Sequence, residues 1–143
     1  KIGYAIAPPK LMKEFRRIYQ FAQFCVVTPM QLALADFLAN HAEHYEQLAD
    51  FYADKRDSFA ALLAPSRFEL QPSAGTYFQL ADYSAISSND DVEFTRWLTT
   101  EVGVAAIPIS VFYETPPEQR VIRFCFAKSD VTLQQAAEKL CAI

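Results

Sequence analysis

Val121-Ile122-Arg123-Phe124-Cys125-Phe126-Ala127-Lys128 reads as a β-strand with a cation where a strand usually carries an apolar side chain. Side chains alternate along a strand, so Val121, Arg123 and Cys125 share one face while Ile122, Phe124 and Phe126 line the other. The second face is apolar throughout; the first holds a guanidinium between two small hydrophobic residues. A guanidinium stays protonated and is costly to bury alone, so Arg123 must reach water, an internal carboxylate or an anionic ligand. Structural ion pairs are commoner than ligand sites, and the residues by themselves favour a half-exposed or internally paired arginine.

The sequence around this strand has the rhythm of a small sheet with helices packed on it. Strand-like runs at Phe68–Leu70, Thr76–Leu80, Val104–Ile107 and Val121–Phe126 alternate with two helices. The first helix opens at Asp90-x-x-Glu93, is expected to bury Phe94, Trp97 and Leu98, and ends at Gly103. The second begins at Thr132-x-x-Gln135 and is expected to bury Leu133, Ala136, Ala137 and Leu140. Ser73-Ala74-Gly75 supplies the turn between the first two strands. The order β-β-α-β-β-α describes an α+β layer architecture. Ile107–Tyr113, with Pro108 and Ser110, is an apolar loop whose simplest role is packing, and no catalytic part is assigned to it.

Towards the beginning of the chain the pattern is helical. Ile2–Ala7 is a strand-like run closed by Pro8-Pro9, so the chain opens inside an element. Leu11, Met12, Phe15, Ile18, Tyr19 and Ala22 then recur at helical spacing behind Pro9. Phe24-Cys25-Val26-Val27 is a β-favouring connector, and Thr28-x-x-Gln31 with Pro29 predicts a capping box opening the next helix. A long helix is expected from Tyr45 to just before Pro65, with Leu48, Tyr52, Phe59, Leu62 and Leu63 inward. His41 and His44 supply only half of a metal shell, and no further ligand pair accompanies them.

Composition narrows the function classes. The 143 residues can build a core of their own, and 52% hydrophobic with 14% aromatic content is rich enough to imply surface meant to be covered. A net charge of −4, from 13 basic and 17 acidic residues with no basic run, argues against a nucleic-acid partner. Cys25, Cys125 and Cys141 are an odd, widely spaced set that suits reduced thiols in a cytoplasm. No apolar run approaches the roughly 20 residues that span a bilayer, so no membrane role is expected.

Read together, Lys1-Ile2-Gly3-Tyr4, Ala7-Pro8-Pro9, Phe24 through Thr28-Pro29-Met30-Gln31, Ala74-Gly75-Thr76-Tyr77-Phe78, Gly103 through Tyr113 and the strand at Arg123 resemble, in order and spacing, the fold-type I pyridoxal-phosphate aminotransferases. The nearest likeness is to the methionine, glutamine and kynurenine aminotransferases. The resemblance implies the carboxy-terminal part of such an enzyme. Residues 1–40 would end the large cofactor-binding domain, 41–65 would be the linking helix, and 66–143 would form the small α+β domain. It implies pyridoxal 5′-phosphate as cofactor and transfer of an amino group from an amino acid to a 2-oxo acid. It also implies a cytoplasmic homodimer. Arg123 would hold the substrate α-carboxylate and Lys1 the cofactor phosphate, and the loop Ile107–Tyr113 would border the active site. Phe24 and Cys25 would reach the substrate pocket of the other subunit, although the family often has an aromatic or polar residue where Cys25 stands. The lysine that carries the cofactor would lie upstream of Lys1, so this piece alone is expected to be inactive and to contain no catalytic residue. A carbon–sulfur lyase of the same fold would use the same arginine, and a non-catalytic carboxylate- or partner-binding module is the other alternative.

Overall fold

A computed structural model describes residues 2–143; Lys1, expected at the cofactor phosphate, lies outside the described residues. The chain divides into two compact units, one ending at Glu46 and the other spanning Gln47–Ile143.

The second unit contains a four-stranded antiparallel sheet in the order β1-β2-β4-β3, from β1 (Glu69–Leu70), β2 (Phe78–Asp82), β3 (Ile107–Pro108) and β4 (Val121–Cys125). Strands β2 and β4 carry most of the pairing, from Phe78 opposite Cys125 to Asp82 opposite Val121. Their aromatic and β-branched residues suit a pleated, half-buried surface. Ala81, Ile122 and Phe124, followed by Phe126, turn to the core. There they meet Phe59 and Leu63 of α4 (Leu48–Leu63), Phe94 of α5 (Asp91–Trp97), and Leu133, Ala137 and Leu140 of α6 (Asp130–Leu140). Phe124 stands edge-on to Phe59 and Phe68, with ring centroids 6.2 and 5.5 Å away. The α+β layers expected from the sequence are therefore present, and β4 buries the face that its alternation marked.

Several boundaries differ from expectation for local reasons. Strand β2 begins at Phe78 rather than Thr76, because Thr76 has φ 68 and lies outside the β region. Strand β3 is Ile107–Pro108 rather than Val104–Ile107, and Pro108 has no N–H with which to extend a ladder. Asp90 caps α5 as expected, its Oδ1 accepting the Glu93 N–H at 2.8 Å. The helix then widens into a π turn over Leu98–Val102 and ends at Gly103, whose φ of 75 is the left-handed value. Trp97 is partly exposed, while Phe94 and Leu98 are buried. Helix α6 is capped by Ser129, whose Oγ accepts the Thr132 N–H, so Thr132 lies inside the first turn rather than before it.

The first unit is α1 (Pro9–Ala22), α2 (Thr28–Asn40) and α3 (Ala42–Glu46). Ile2–Ala7 carries no strand, since no ladder partner for it exists among the described residues. The capping box at Thr28 does not form: Val27 precedes the helix without a side-chain bond, and Gln31 Nε2 instead donates to the Val26 carbonyl at 2.8 Å. The long helix expected from Tyr45 is interrupted, α3 ending at Glu46 and α4 starting after Gln47. Leu48, expected inward, is exposed. None of α1, α2 or α3 has a buried residue, and the apolar stripe of α1, including Leu11, Ile18 and Phe21, stands open. No described helix is long and apolar enough to cross a membrane.

Candidate functional site

Arg123 lies at the centre of β4, paired with Leu80 on one side and Ile107 on the other. Its side chain points to the sheet face opposite the core and is half-buried. Phe78 is two residues along β2 from Leu80 and so occupies the diagonal position on the same face, within reach of a long side chain. Its ring centroid is 4.7 Å from Arg123 Cζ. From the other side the ring of Phe112, in the 3₁₀ turn Ser110–Phe112 that follows β3, comes to 5.6 Å. Each ring presents its negative face to the cation, an attraction worth about 0.5–2 kcal/mol depending on desolvation.

Among the described residues Arg123 has no carboxylate within 4.0 Å and no hydrogen-bond acceptor for its guanidinium. Among the described residues no buried side-chain nitrogen or oxygen lacks a partner, so the unpaired nitrogens of Arg123 are reached by solvent. Of the two arrangements favoured by the residues alone, the internal ion pair is therefore absent from this unit and the half-exposed arginine is present. What remains is a fork of donors held between two rings and open to an incoming planar anion.

Behind Phe112 sits a buried acid. Asp91 is 5% exposed, and its Oδ2 accepts the Ser110 N–H at 2.7 Å while its Oδ1 accepts the Ser110 hydroxyl at 2.6 Å. Next to it Tyr83 is fully buried, donates its hydroxyl to the Asn89 carbonyl at 2.9 Å, and stacks on Phe94 at 4.0 Å between centroids. Burial first, and the nearby Asp91 charge second, push the Tyr83 phenol up to about 12.

Phe24 and Cys25 belong to the first unit, where they form the connector between α1 and α2. Phe24 is 80% exposed and has φ 67, a left-handed value that is a departure for an aromatic residue at a position where a helix end usually takes glycine. Its N–H donates to the Tyr19 carbonyl at 3.0 Å, which closes the end of α1. Cys25 is an exposed free thiol beside it. Phe78, Phe112 and Asp91 were not named as site residues from the sequence, although the resemblance implies that the loop Ile107–Tyr113, which holds Phe112, borders the active site. The alternation of Thr76–Leu80 could have suggested Phe78, but its place beside Arg123 depends on register, which no short sequence window carries.

The family model for aminotransferase class I and II matches residues 1–140. The chain is 54% identical over 140 residues to a methionine aminotransferase of Escherichia coli, covering 98% of this chain and 36% of that protein. It is 33% identical to a kynurenine–oxoglutarate transaminase of Dictyostelium discoideum, covering 98% and 37% respectively. An Escherichia coli crystal structure described as having a methionine aminotransferase function superposes with a TM-score of 0.90 at 52% identity, over 96% of this chain and 36% of that one. The N-succinyldiaminopimelate aminotransferase of Mycobacterium tuberculosis superposes at 0.84 with 33% identity, over 96% and 36%. The chain thus spans little more than a third of the length of these relatives. Matched along nearly its whole length, with an open arginine on the central strand of its sheet, it belongs to the aminotransferase class I and II family, whose cofactor is pyridoxal 5′-phosphate.

Proposed function

We propose that the protein to which this chain belongs transfers an amino group from an amino acid of the methionine, glutamine or aromatic type to a 2-oxo acid. In this reading Arg123 holds the substrate α-carboxylate. The observation that carries it is the guanidinium itself: accessible, half-buried, flanked by Phe78 and Phe112, and without a carboxylate among the described residues. The names of the relatives, methionine aminotransferase and kynurenine–oxoglutarate transaminase, favour transamination over a lyase or a non-catalytic module.

Pyridoxal phosphate, when bound, supplies the electron sink of the reaction. The described residues fit the substrate side of such a site, because a fork of N–H donors between aromatic faces matches a planar carboxylate. Two parallel bonds from Arg123 fix the direction of the substrate's Cα–H bond, and orientation of that kind is worth several orders of magnitude in rate. In the same reading Lys1 pairs with the cofactor phosphate. Phe24 and Cys25 reach the pocket of a partner subunit in a homodimer. Their exposure, and the open apolar stripe of α1, support an interface there. Residues 1–40 would close the large domain, 41–65 would link, and 66–143 would be the small domain. A cytoplasmic setting suits the three free cysteines.

The test is Arg123→Ala in the full-length protein, comparing an amino acid with its decarboxylated amine. Loss of the clamp should weaken kcat/KM for the amino acid by about 2 to 5 kcal/mol and leave the amine nearly unchanged. Arg123→Lys should restore little, because an ammonium cannot reproduce the fork. Equal slowing of both substrates would show that Arg123 holds the fold and not the substrate.

A further inference from the structure

We propose that Asp91 is a positioning residue for the carboxylate site, acting through Ser110 and Phe112 on Arg123; the inference rests on the carboxylate-binding reading of Arg123. The chain of contacts is short and continuous. Asp91 spends both carboxylate oxygens on one residue, Ser110, taking its backbone N–H at 2.7 Å and its hydroxyl at 2.6 Å. Among the described residues it has no cation within 4.0 Å. A carboxylate that is 5% exposed is tolerable only while those donors stay in place, so the pair resists separation.

Ser110 opens the 3₁₀ turn, and the turn is closed by Phe112 N–H on the Ile109 carbonyl and Tyr113 N–H on the Ser110 carbonyl, both 3.1 Å. Phe112 therefore moves with Ser110. The ring needs such an anchor, since it is 63% exposed and has little packing of its own. Nor does β3 provide one: it is two residues long, and Pro108 donates nothing to the sheet. The Asp91 clamp thus sets where the Phe112 face stands against the Arg123 guanidinium, 5.6 Å away. Phe78 is fixed independently by the β2–β4 register, so the clamp governs one side of the sandwich only.

The experiment uses the full-length protein with its cofactor. Values of kcat and KM are measured for an amino acid and for its decarboxylated amine in Asp91→Asn, Ser110→Ala, Phe112→Ala and the Asp91→Asn/Phe112→Ala double variant, alongside thermal melting. Asparagine turns an NH₂ donor towards a donor on Ser110, whereas Ser110→Ala keeps the backbone bond and loses only the hydroxyl. Asp91→Asn should raise KM for the amino acid about tenfold, a coupling typical of residues in one network, with kcat falling less and the amine unaffected. Ser110→Ala should do the same more weakly. In the Phe112→Ala background Asp91→Asn should add nothing to the KM effect, an outcome that simple loss of stability would not produce.

Multiplicative effects of Asp91→Asn and Phe112→Ala, or equal losses for amino acid and amine, would overturn the relay. If Asp91→Asn fails to fold, the amino-acid-to-amine ratio in Ser110→Ala decides, and an unchanged ratio there counts against the proposal. Arg123→Ala separates the two levels. If it slows both substrates equally, the carboxylate reading falls and takes this inference with it. If it discriminates between them while the Asp91 and Ser110 variants do not, only the relay is wrong.

Discussion

Tyr83 offers a direct measure of how firmly the region behind the site is packed. Its phenol is fully buried, and burial together with the Asp91 charge raises it from 10.0 to about 12. An unfolded tyrosine loses its proton near pH 10, so above that pH the unfolded state binds fewer protons than the folded one and stability falls. The contribution is complete below pH 10 and is lost by about pH 12. At about 1.4 kcal/mol per pH unit the loss amounts to roughly 2–3 kcal/mol. Tyr83→Phe removes this dependence. It also removes the 2.9 Å bond to the Asn89 carbonyl, but Asn89 is exposed and can rehydrate, so the cost at neutral pH should be about 0.5–1.5 kcal/mol. Denaturant unfolding at a series of pH values, in wild type and Tyr83→Phe, isolates the effect, because lysine titrations are common to both. The stability difference between them should shrink above pH 10 and reverse before pH 12. A constant difference across that range would refute the reasoning and show that the Tyr83 hydroxyl opens to water in the folded state.

Two further outcomes are expected. Phe124→Ala should destabilise the second unit by about 3–5 kcal/mol, read as a shift of the denaturation midpoint, because Phe124 is 2% exposed and contacts both Phe59 and Phe68 edge-on. Phe24→Gly should leave stability unchanged or raise it slightly, since relief of a left-handed backbone costing about 1–2 kcal/mol offsets the added freedom of glycine, while kcat/KM of the full-length protein falls; a Phe24→Gly protein of full activity would remove Phe24 from the site.

The strand Val121–Phe126 was legible because its signal is local: a period of two sorts Ile122, Phe124 and Phe126 from Arg123 without knowledge of any partner. The Asp90–Glu93 cap and the glycine at 103 are local in the same way, and both stand where the sequence placed them. The helices expected at Thr28 and Thr132 are present, but neither threonine is the cap, for a different reason. Several residues near each helix end could serve as a cap, and the choice between neighbours depends on the approach of the preceding chain. The surroundings of Arg123 were legible only through the resemblance, which puts the loop Ile107–Tyr113 beside the site without naming a contact. Phe78 joins it through register, and Asp91 reaches Ser110 across 19 residues from inside a capping motif whose visible members are Asp90 and Glu93. The left-handed backbones at Phe24 and Thr76 also left no trace, because neither residue type announces a positive φ.

The manner in which Arg123 is held bears on what it can bind. An internal carboxylate close to the guanidinium would steady it, but it would also occupy the N–H fork and repel an arriving carboxylate. Aromatic faces attract the charge and leave the edge of the guanidinium plane unused, since a ring accepts no in-plane hydrogen bond at the carboxylate positions. The two rings of Phe78 and Phe112 together supply about 1–2 kcal/mol at this partly open place. Charge-assisted bonds to a carboxylate would be individually as strong, and the fork has room for two of them. A ligand therefore does not have to displace an existing partner, and its full pairing energy adds to an arginine that is already oriented. The choice of Phe78 and Phe112 as its neighbours is the arrangement that keeps the fork free.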